Sequence, residues 1–413
     1  MTHTYPETRS PGGGDADRSA RPMERAPRAD RIHVCLAAFW PGVRRDDLTD
    51  SGIGAQPTRP RFAYAGAFPE RLFVLTDGPR LQSSSPGRLA RWRDRVALPV
   101  RMAHLFASFA RADLVATHLT SHMLLAAVAK WFRPRLGLIS IQYECGTPAG
   151  PFRRLACRLK GYAYRRTDRI LCLTPGLTQR LAVCYGLHPA RAVSLPFGVD
   201  TNYFAPAEDP GRGDFILVPG NHQRDEHAVL ELARAGTSWK IVRVADAPWV
   251  RHVYLPALAA EASLADALRF ERSVAPERLR ALYRAARLVW LPLQSSNEPA
   301  GLTAALEAAA CGRPVLVTQG LICEALSYLG IPHLVAGRGE PARESITRAL
   351  AQADTLGSPQ AIAAAVRRAA SVEVAADALR RQCIRVMCER GVRPGHCFPD
   401  ESEPCPTPTE YAC

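Results

Sequence analysis

Glu298, Gly301, Thr303 and Glu307 stand close together in the run Leu288–Thr318, LVWLPLQSSNEPAGLTAALEAAACGRPVLVT. Two carboxylates, a hydroxyl and a glycine at this spacing suit a ligand that carries both phosphate and sugar hydroxyls. Glycine has no side chain, so an anion can come close to the backbone at Gly301. The N–H groups of Gly301, Leu302 and Thr303 open a helix, where partial positive charge favours a phosphate. Thr303 and Glu307 are four residues apart and share one helix face. Helical side chains lean toward the N-terminus, which brings the Glu307 carboxylate within reach of ribose hydroxyls beside that phosphate. Upstream, Arg224 supplies an always-charged fork able to bind a diphosphate through two hydrogen bonds. Each residue also has a plainer explanation. Glu307 is a good helix former on a wet face, and an arginine at a helix start can simply be solvated.

These side chains need elements to hold them. Leu288–Leu293 is a short apolar run, as in a strand buried on both faces. Gln294–Ala300 is polar and contains a proline, so it reads as a loop. Leu302–Cys311 is rich in Ala, Leu and Glu and forms a helix. Gly312 and Pro314 stop that helix, and Pro314–Thr318 restarts a strand. Strand, loop and helix in this order put the helix N-terminus at the carboxyl end of a parallel sheet, where open α/β sheets bind ligands. The same alternation runs through the chain. Strands are expected at Ile32–Ala38, Leu72–Thr76, Ala112–Thr117, Leu136–Ile141 and Arg169–Leu173. Helices are expected at Arg88–Arg111, with a break at Pro99, and around His122–Phe132, Phe152–Arg166 and Gly176–Tyr185. A second series starts at Phe215 and runs to about Gly337, after which helices fill Pro341–Gly391. The fold class is therefore α/β, with parallel sheets covered on both faces.

The run EPAGLTAALEAAACGRPVLVT is similar to the donor-site signature of family-4-type retaining glycosyltransferases with the GT-B fold. Glu307, Ala308, Ala310, Cys311, Gly312, Pro314 and Val315 match its second half. Its first half resembles the version with an AGxT-type loop, here Ala300-Gly301-Leu302-Thr303. Either Glu298 or Asn297 then stands for the glutamate that contacts the donor sugar. LPFGVDTNYFAP at Leu195–Pro206 resembles the family's GVDxxxFxP junction between domains, with Gly198, Val199, Asp200, Phe204 and Pro206 in register. FILVPGNHQRDEHAVLELA at Phe215–Ala233 resembles the segment that brings an arginine and a lysine to the donor diphosphate. Arg224 falls on the lysine position, and Asn221 or His222 stands near the missing arginine.

The resemblance implies two Rossmann-like domains facing across a cleft, a nucleotide-sugar donor as substrate and no bound metal. It implies Glu298, Glu307 and Arg224 as the catalytic set. Donor contacts would extend to Asn297, Gly301, Leu302, Thr303, Asn221 and Gly42, with the base near Ser273 and Val274. Gly42 lies in the turn Trp40-Pro41-Gly42-Val43 after the first strand. His118, at the end of a first-domain strand, is a candidate for the acceptor side of the cleft. Family members often carry a histidine after the next strand, where this chain reads Gln142-Tyr143-Glu144. Transfer would proceed with retention, the leaving phosphate helping to accept the acceptor's proton. The implied division is a disordered segment at 1–31, an acceptor domain at 32–197, a hinge at 198–213, a nucleotide-sugar domain at 214–371, a helix crossing back at 372–391 and a disordered tail at 392–413.

Composition fits this frame. With 413 residues, 47% of them hydrophobic, the chain can build two or three full cores. It holds no uninterrupted apolar run of about eighteen residues, the length a membrane-spanning helix needs. The first thirty residues show no apolar stretch of the secretory type. The expected setting is the reducing cytoplasm. Twelve cysteines form no CxxC pair, and Cys383, Cys388, His396 and Cys397 match no standard zinc module. The formal net charge is +14. Between Arg88 and Arg191 eighteen Lys and Arg face four Asp and Glu. Arg153, Arg154, Arg158, Lys160, Arg165 and Arg166 share one expected helix with Phe152, Leu155, Leu159 and Tyr162. A basic amphipathic surface of this kind is drawn to anionic lipid headgroups, which would make 88–191 a peripheral contact with the cytoplasmic membrane face. A solvated basic face is the plain alternative, and no recognition module for nucleic acid is visible. The acceptor side stays open among a glycan, a lipid-linked sugar and a small molecule. Two other classes remain beside the transferase. One is an inactive scaffold of the same fold. The other is a nicotinamide-dependent enzyme, which lacks its GxGxxG after Ile32–Ala38.

Overall fold

The computed structural model describes residues 31–37, 48–49, 60–69, 73–77, 88–146, 151–208, 213–236, 238–294 and 298–391. Residues 1–30 of the expected N-terminal segment, the expected tail 392–413, the turn with Gly42, and Asn297 lie outside them. The first sheet holds β1 (Ile32–Leu36), β2 (Phe73–Asp77), β3 (Leu114–Thr117), β4 (Gly137–Gln142), β5 (Arg169–Cys172) and β6 (Ala192–Ser194), in the spatial order 2-1-3-4-5-6. The second holds β7 (Phe215–Pro219), β8 (Lys240–Val244), β9 (Leu268–Glu271), β10 (Leu288–Leu291), β11 (Val315–Thr318) and β12 (Leu334–Ala336), in the order 12-11-10-7-8-9. Every pairing in both sheets is parallel. Each sheet is a Rossmann-like layer, and together they make the GT-B architecture.

Helices α1 (Arg88–Arg111), α2 (Thr120–Phe132), α3 (Arg153–Arg166) and α4 (Pro175–Tyr185) follow β2 to β5 in turn. The second sheet carries α5 (Glu226–Arg234), α6 (Pro248–Ala260), α7 (Ala262–Ala267), α8 (Pro276–Ala285), α9 (Leu302–Ala310) and α10 (Leu321–Tyr328). Then come α11 (Ala342–Gln352), α12 (Pro359–Ala370) and α13 (Val372–Glu389). The expected break at Pro99 does not occur, because α1 runs through it unbroken. An interior proline removes one hydrogen bond and crowds one carbonyl, which a long helix can absorb. Strand β6 was not foreseen, its three residues being too few to show a period.

The junction after β6 explains its own sequence. Asp200 is buried and receives Arg61 through the backbone N–H (2.9 Å), Nε (3.2 Å) and Nη2 (3.0 Å). Its Oδ1, which takes the Arg61 Nη2 bond, also accepts the N–H groups of Asn202 and Tyr203. A Cβ at Gly198 would lie 2.2 Å from the Ala63 carbonyl oxygen, so only glycine fits there. Val199 bonds to both Ala370 and Val372, which ties the junction to the start of α13. That helix then crosses to the first sheet, where Val386 and Met387 pack at Gly137 on β4. Arg390 and Lys130 both pair with the buried Asp168, and Arg169 pairs with Glu389. Burial works against the Asp200 charge, but its hydrogen bonds to Arg61 hold it below the usual carboxylate range. A carboxylate with a depressed folded-state value adds stability above its unfolded value, and that stability is lost as pH falls through the folded one. Asp200→Asn is therefore expected to cost about 3 kcal/mol at neutral pH. Its denaturation midpoint should converge with the parent's in acid. Urea titrations of both proteins from pH 7 down to pH 3 check this.

Candidate active site

Strands β7 and β10 are neighbours at the point where the second sheet reverses its strand order, so the loops leaving their carboxyl ends lie side by side. Asp225 N–H donates to Pro292 O (3.0 Å) and Gln294 N–H to Gln223 O (3.0 Å). The side chain of Arg224 turns back into this junction. Its Nε donates to Pro219 O (2.9 Å) and its Nη1 to His222 O (2.9 Å). Only 4% of the residue is exposed, so the solvated alternative does not hold.

Two glycines make room for it. Gly220 has φ +98° and Gly301 has φ +83°, both in the left-handed region. A Cβ would lie 2.7 Å from Arg224 Nη2 at Gly220 and 3.0 Å from it at Gly301. Nη2 makes no hydrogen bond, and no carboxylate pairs with Arg224, among the described residues. Burial, reinforced by Arg243, pulls the guanidinium down to about 10, so it stays charged at neutral pH. Arg243 itself is satisfied by Glu226 at 2.6 Å. Arg224 is thus a buried cation with one edge free, facing Gly301.

Gly301 is also the N-cap of α9 and, as a glycine, offers that helix no capping side chain. Thr303 is exposed in its first turn, whereas Leu302 is buried. The alanines of α9 let the helix lie close against β10, β11, α8 and α12. Glu307 sits two turns along, partly buried, and accepts a hydrogen bond from the Tyr283 hydroxyl on α8 (2.9 Å). Burial raises the Glu307 carboxyl to about 7, although the Tyr283 bond opposes the rise. Tyr283 is raised well above its ordinary value by burial and by Glu307, while Arg224 pulls it the other way. Tyr283 therefore stands electrostatically between the two residues picked from the sequence. Nothing in its spacing pointed to it.

Glu298 is held by His222, whose Nε2 lies 3.0 Å from Oε1. Asn221 is used differently from expectation. Its Oδ1 accepts the N–H groups of Asp246 (2.6 Å) and Ala247 (3.2 Å), which fixes the loop after β8. Asp246 in turn accepts from Ser273, which has φ +48°. Across the cleft, the His118 ring lies 6.0 Å from that of Tyr143. Gln142 donates to His118 O (3.0 Å) and accepts from Tyr164, which fixes the start of the loop. Burial raises Tyr143 above its ordinary value, and the charges of Glu144 and Glu298 add to the rise. The first sheet thus sets His118 beside Tyr143, and the second sets His222 against Glu298. Among the described residues no group of three or more His, Cys, Asp or Glu could hold a metal ion.

Two family models match the two halves of the chain. The one described as Glycosyltransferase Family 4 covers residues 56–203, and the one described as Glycosyl transferases group 1 covers 226–371. The chain belongs to the family-4 type of GT-B glycosyltransferases. Curated relatives of this family-4 chain include the D-inositol 3-phosphate glycosyltransferase of Acidothermus cellulolyticus. It is 30% identical over 174 residues, 37% of this chain and 38% of the relative. The enzyme of the same description from Frankia alni is 32% identical over 209 residues, 44% of this chain and 49% of the relative. The match spans less than half the length of each relative. Among solved structures, Anabaena HepE in complex with UDP and glucose superposes with a TM-score of 0.58 at 15% identity, covering 87% of this chain and 100% of HepE. Sucrose-phosphate synthase of Thermosynechococcus elongatus gives 0.59 at 18% identity, covering 87% and 99%. At these identities the likeness is one of fold.

Proposed function

We propose that this family-4 protein transfers a sugar from a nucleotide-sugar donor to a glycan, glycolipid or small-molecule acceptor, with retention. The observation that carries the reading is the buried Arg224 guanidinium, which pairs with no carboxylate among the described residues, beside the glycine that opens α9. A charge taken out of water without a partner is costly. A diphosphate seated between Gly220 and Gly301 would relieve that cost by accepting from Arg224 Nη2 and from the first-turn N–H groups near Thr303. Glu307 would take the ribose hydroxyls, and Glu298, aligned by His222, a hydroxyl of the donor sugar. In the step itself the acceptor oxygen bonds to the anomeric carbon as that carbon's bond to the diphosphate oxygen breaks. Arg224 and the α9 N–H groups take up the charge growing on the leaving phosphate. A phosphate oxygen receives the acceptor's proton, so no carboxylate nucleophile and no metal is required. HepE, solved with UDP and with UDP-glucose, supports the nucleotide class. A cytoplasmic site of action is part of the same proposal.

The test is a panel of nucleotide sugars, read by thermal midpoint and by release of free nucleotide. A donor at a hundred times its dissociation constant should add about 2.7 kcal/mol to stability. One base class should stand out, with slow hydrolysis of its sugar. No stabilisation by any nucleotide would sink the proposal, whereas binding without turnover on any acceptor would leave an inactive scaffold.

A further inference from the structure

Helix α3 wears its apolar stripe on the outside. Phe152, Leu155, Leu159 and Tyr162 recur at helical spacing, which in a globular fold is the face that goes inward. Here Phe152 is 76% exposed and Leu155 55%, and Leu159 is also exposed. The face that packs inward is carried instead by Gly161, Ala163 and Tyr164. The end of α2 extends the patch, with Trp131 60% exposed and Phe132 73%. Trp131 meets Tyr162 edge to face at 6.4 Å, so the two helices present one surface. Arg154, Arg158, Arg165 and Arg166 are exposed on α3 beside this stripe, and the helix contains no acidic residue.

We propose that the outer face of α2 and α3 docks on an anionic lipid surface. Bulky apolar side chains enter the boundary between headgroups and acyl chains, while the flanking arginines keep their charges among anionic headgroups. A second copy of the chain fits poorly, because it would set two wholly basic helices face to face. Nucleic acid would meet the arginines but would leave Leu155 and Leu159 against phosphates. Among the described residues no helix is long and apolar enough to cross a membrane, and the contact proposed is with the surface. The docking goes beyond the transfer reaction and stands without it. It has one consequence that rests on that reaction. Helix α3 follows the Tyr143 loop at the carboxyl end of β4, and Lys160 Nζ holds that loop through Gly146 O at 2.6 Å. A docked α3 therefore brings the rim of the cleft to the headgroups, where a lipid-linked acceptor would present its sugar.

The experiment is sedimentation of the full chain with vesicles of phosphatidylcholine alone or mixed with phosphatidylglycerol, at rising salt. Two double variants accompany it, Leu155→Ser with Leu159→Ser and Arg154→Gln with Arg158→Gln. All four positions are exposed, so circular dichroism and the thermal midpoint should match the parent's. The parent should bind only the anionic vesicles and release as salt rises. The arginine pair should bind about 25-fold more weakly, roughly fivefold for each charge removed. The leucine pair should lose about tenfold at fixed salt. Equal binding to neutral and anionic vesicles, or variants that bind like the parent, would overturn the proposal. So would a preference for an oligonucleotide over vesicles at the same salt, or a dimer that the leucine pair dissolves.

Discussion

Arg224→Ala is expected to cut nucleotide-sugar turnover by roughly 100- to 1000-fold while leaving the fold almost as stable as before. The two parts of this expectation have different sources. Activity falls because the guanidinium is the charged donor closest to Gly301, at the start of α9. Stability changes little because two terms oppose each other. Truncation opens a cavity and strips the Pro219 and His222 carbonyls of their donors, a loss of about 2–3 kcal/mol. It also removes a cation that burial has pulled down to about 10, a relief of about 3 kcal/mol. The midpoint of the free protein should therefore shift by only a few degrees, and the added stability from nucleotide should vanish. Arg224→Lys keeps a charge but not the planar fork, and should recover activity only to roughly tenfold below the parent. Donor titrations of the three proteins by calorimetry decide the matter. An alanine variant that binds donor as tightly as the parent would place the diphosphate elsewhere.

Glu307→Gln should separate stability from binding through pH. Burial raises the folded-state value of Glu307 from 4.5 to about 7, so the folded protein holds a proton that the unfolded chain has released. Stability is then fully present below about 4.5 and falls as pH rises through 7. The loss approaches about 3 kcal/mol at pH 8. Glutamine carries no charge and escapes that loss. The variant should be the more stable protein at pH 8, with the difference shrinking toward pH 4. Donor binding runs the other way. Ribose hydroxyls donate best to a carboxylate, so affinity for the parent should rise with pH until about 7 and then level off. In the variant that slope should flatten, and affinity at pH 8 should drop roughly 10- to 100-fold. Tyr283→Phe removes the bond that favours the charged form, and should move the break in the parent's pH profile upward. A pH-independent affinity in the parent would show that Glu307 does not touch the ligand.

How far the sequence carried this site depends on the range of each signal. Gly301, Glu307, Gly312 and Pro314 were legible because a cap, a helical repeat and a stop are local patterns a few residues long. The Asp200 segment was legible as a motif, but its partner Arg61 lies far upstream and has no spacing to betray it. Tyr283 is hidden for the same reason, since it meets Glu307 through the packing of α8 on α9. The bond from Asn221 to the Asp246 turn was not legible, because a polar residue in a phosphate-type loop looks the same whether it faces a ligand or pins a neighbouring turn. The basic character of α3 could be counted, yet the side of the helix turned to solvent could not.

The sequence by itself determined the two alternating series of strands and helices and the glycine-opened helix. It also determined the residue types able to hold a diphosphate and a ribose, all through short-range preferences of the backbone. The tertiary structure alone decided that β7 and β10 lie side by side. That adjacency buries Arg224 between Gly220 and Gly301 with one edge free, and the packing of the first sheet leaves the apolar stripe of α3 outside. These are outcomes of long-range packing, in which the same arginine, tyrosine or leucine takes its role from residues that only the fold brings near.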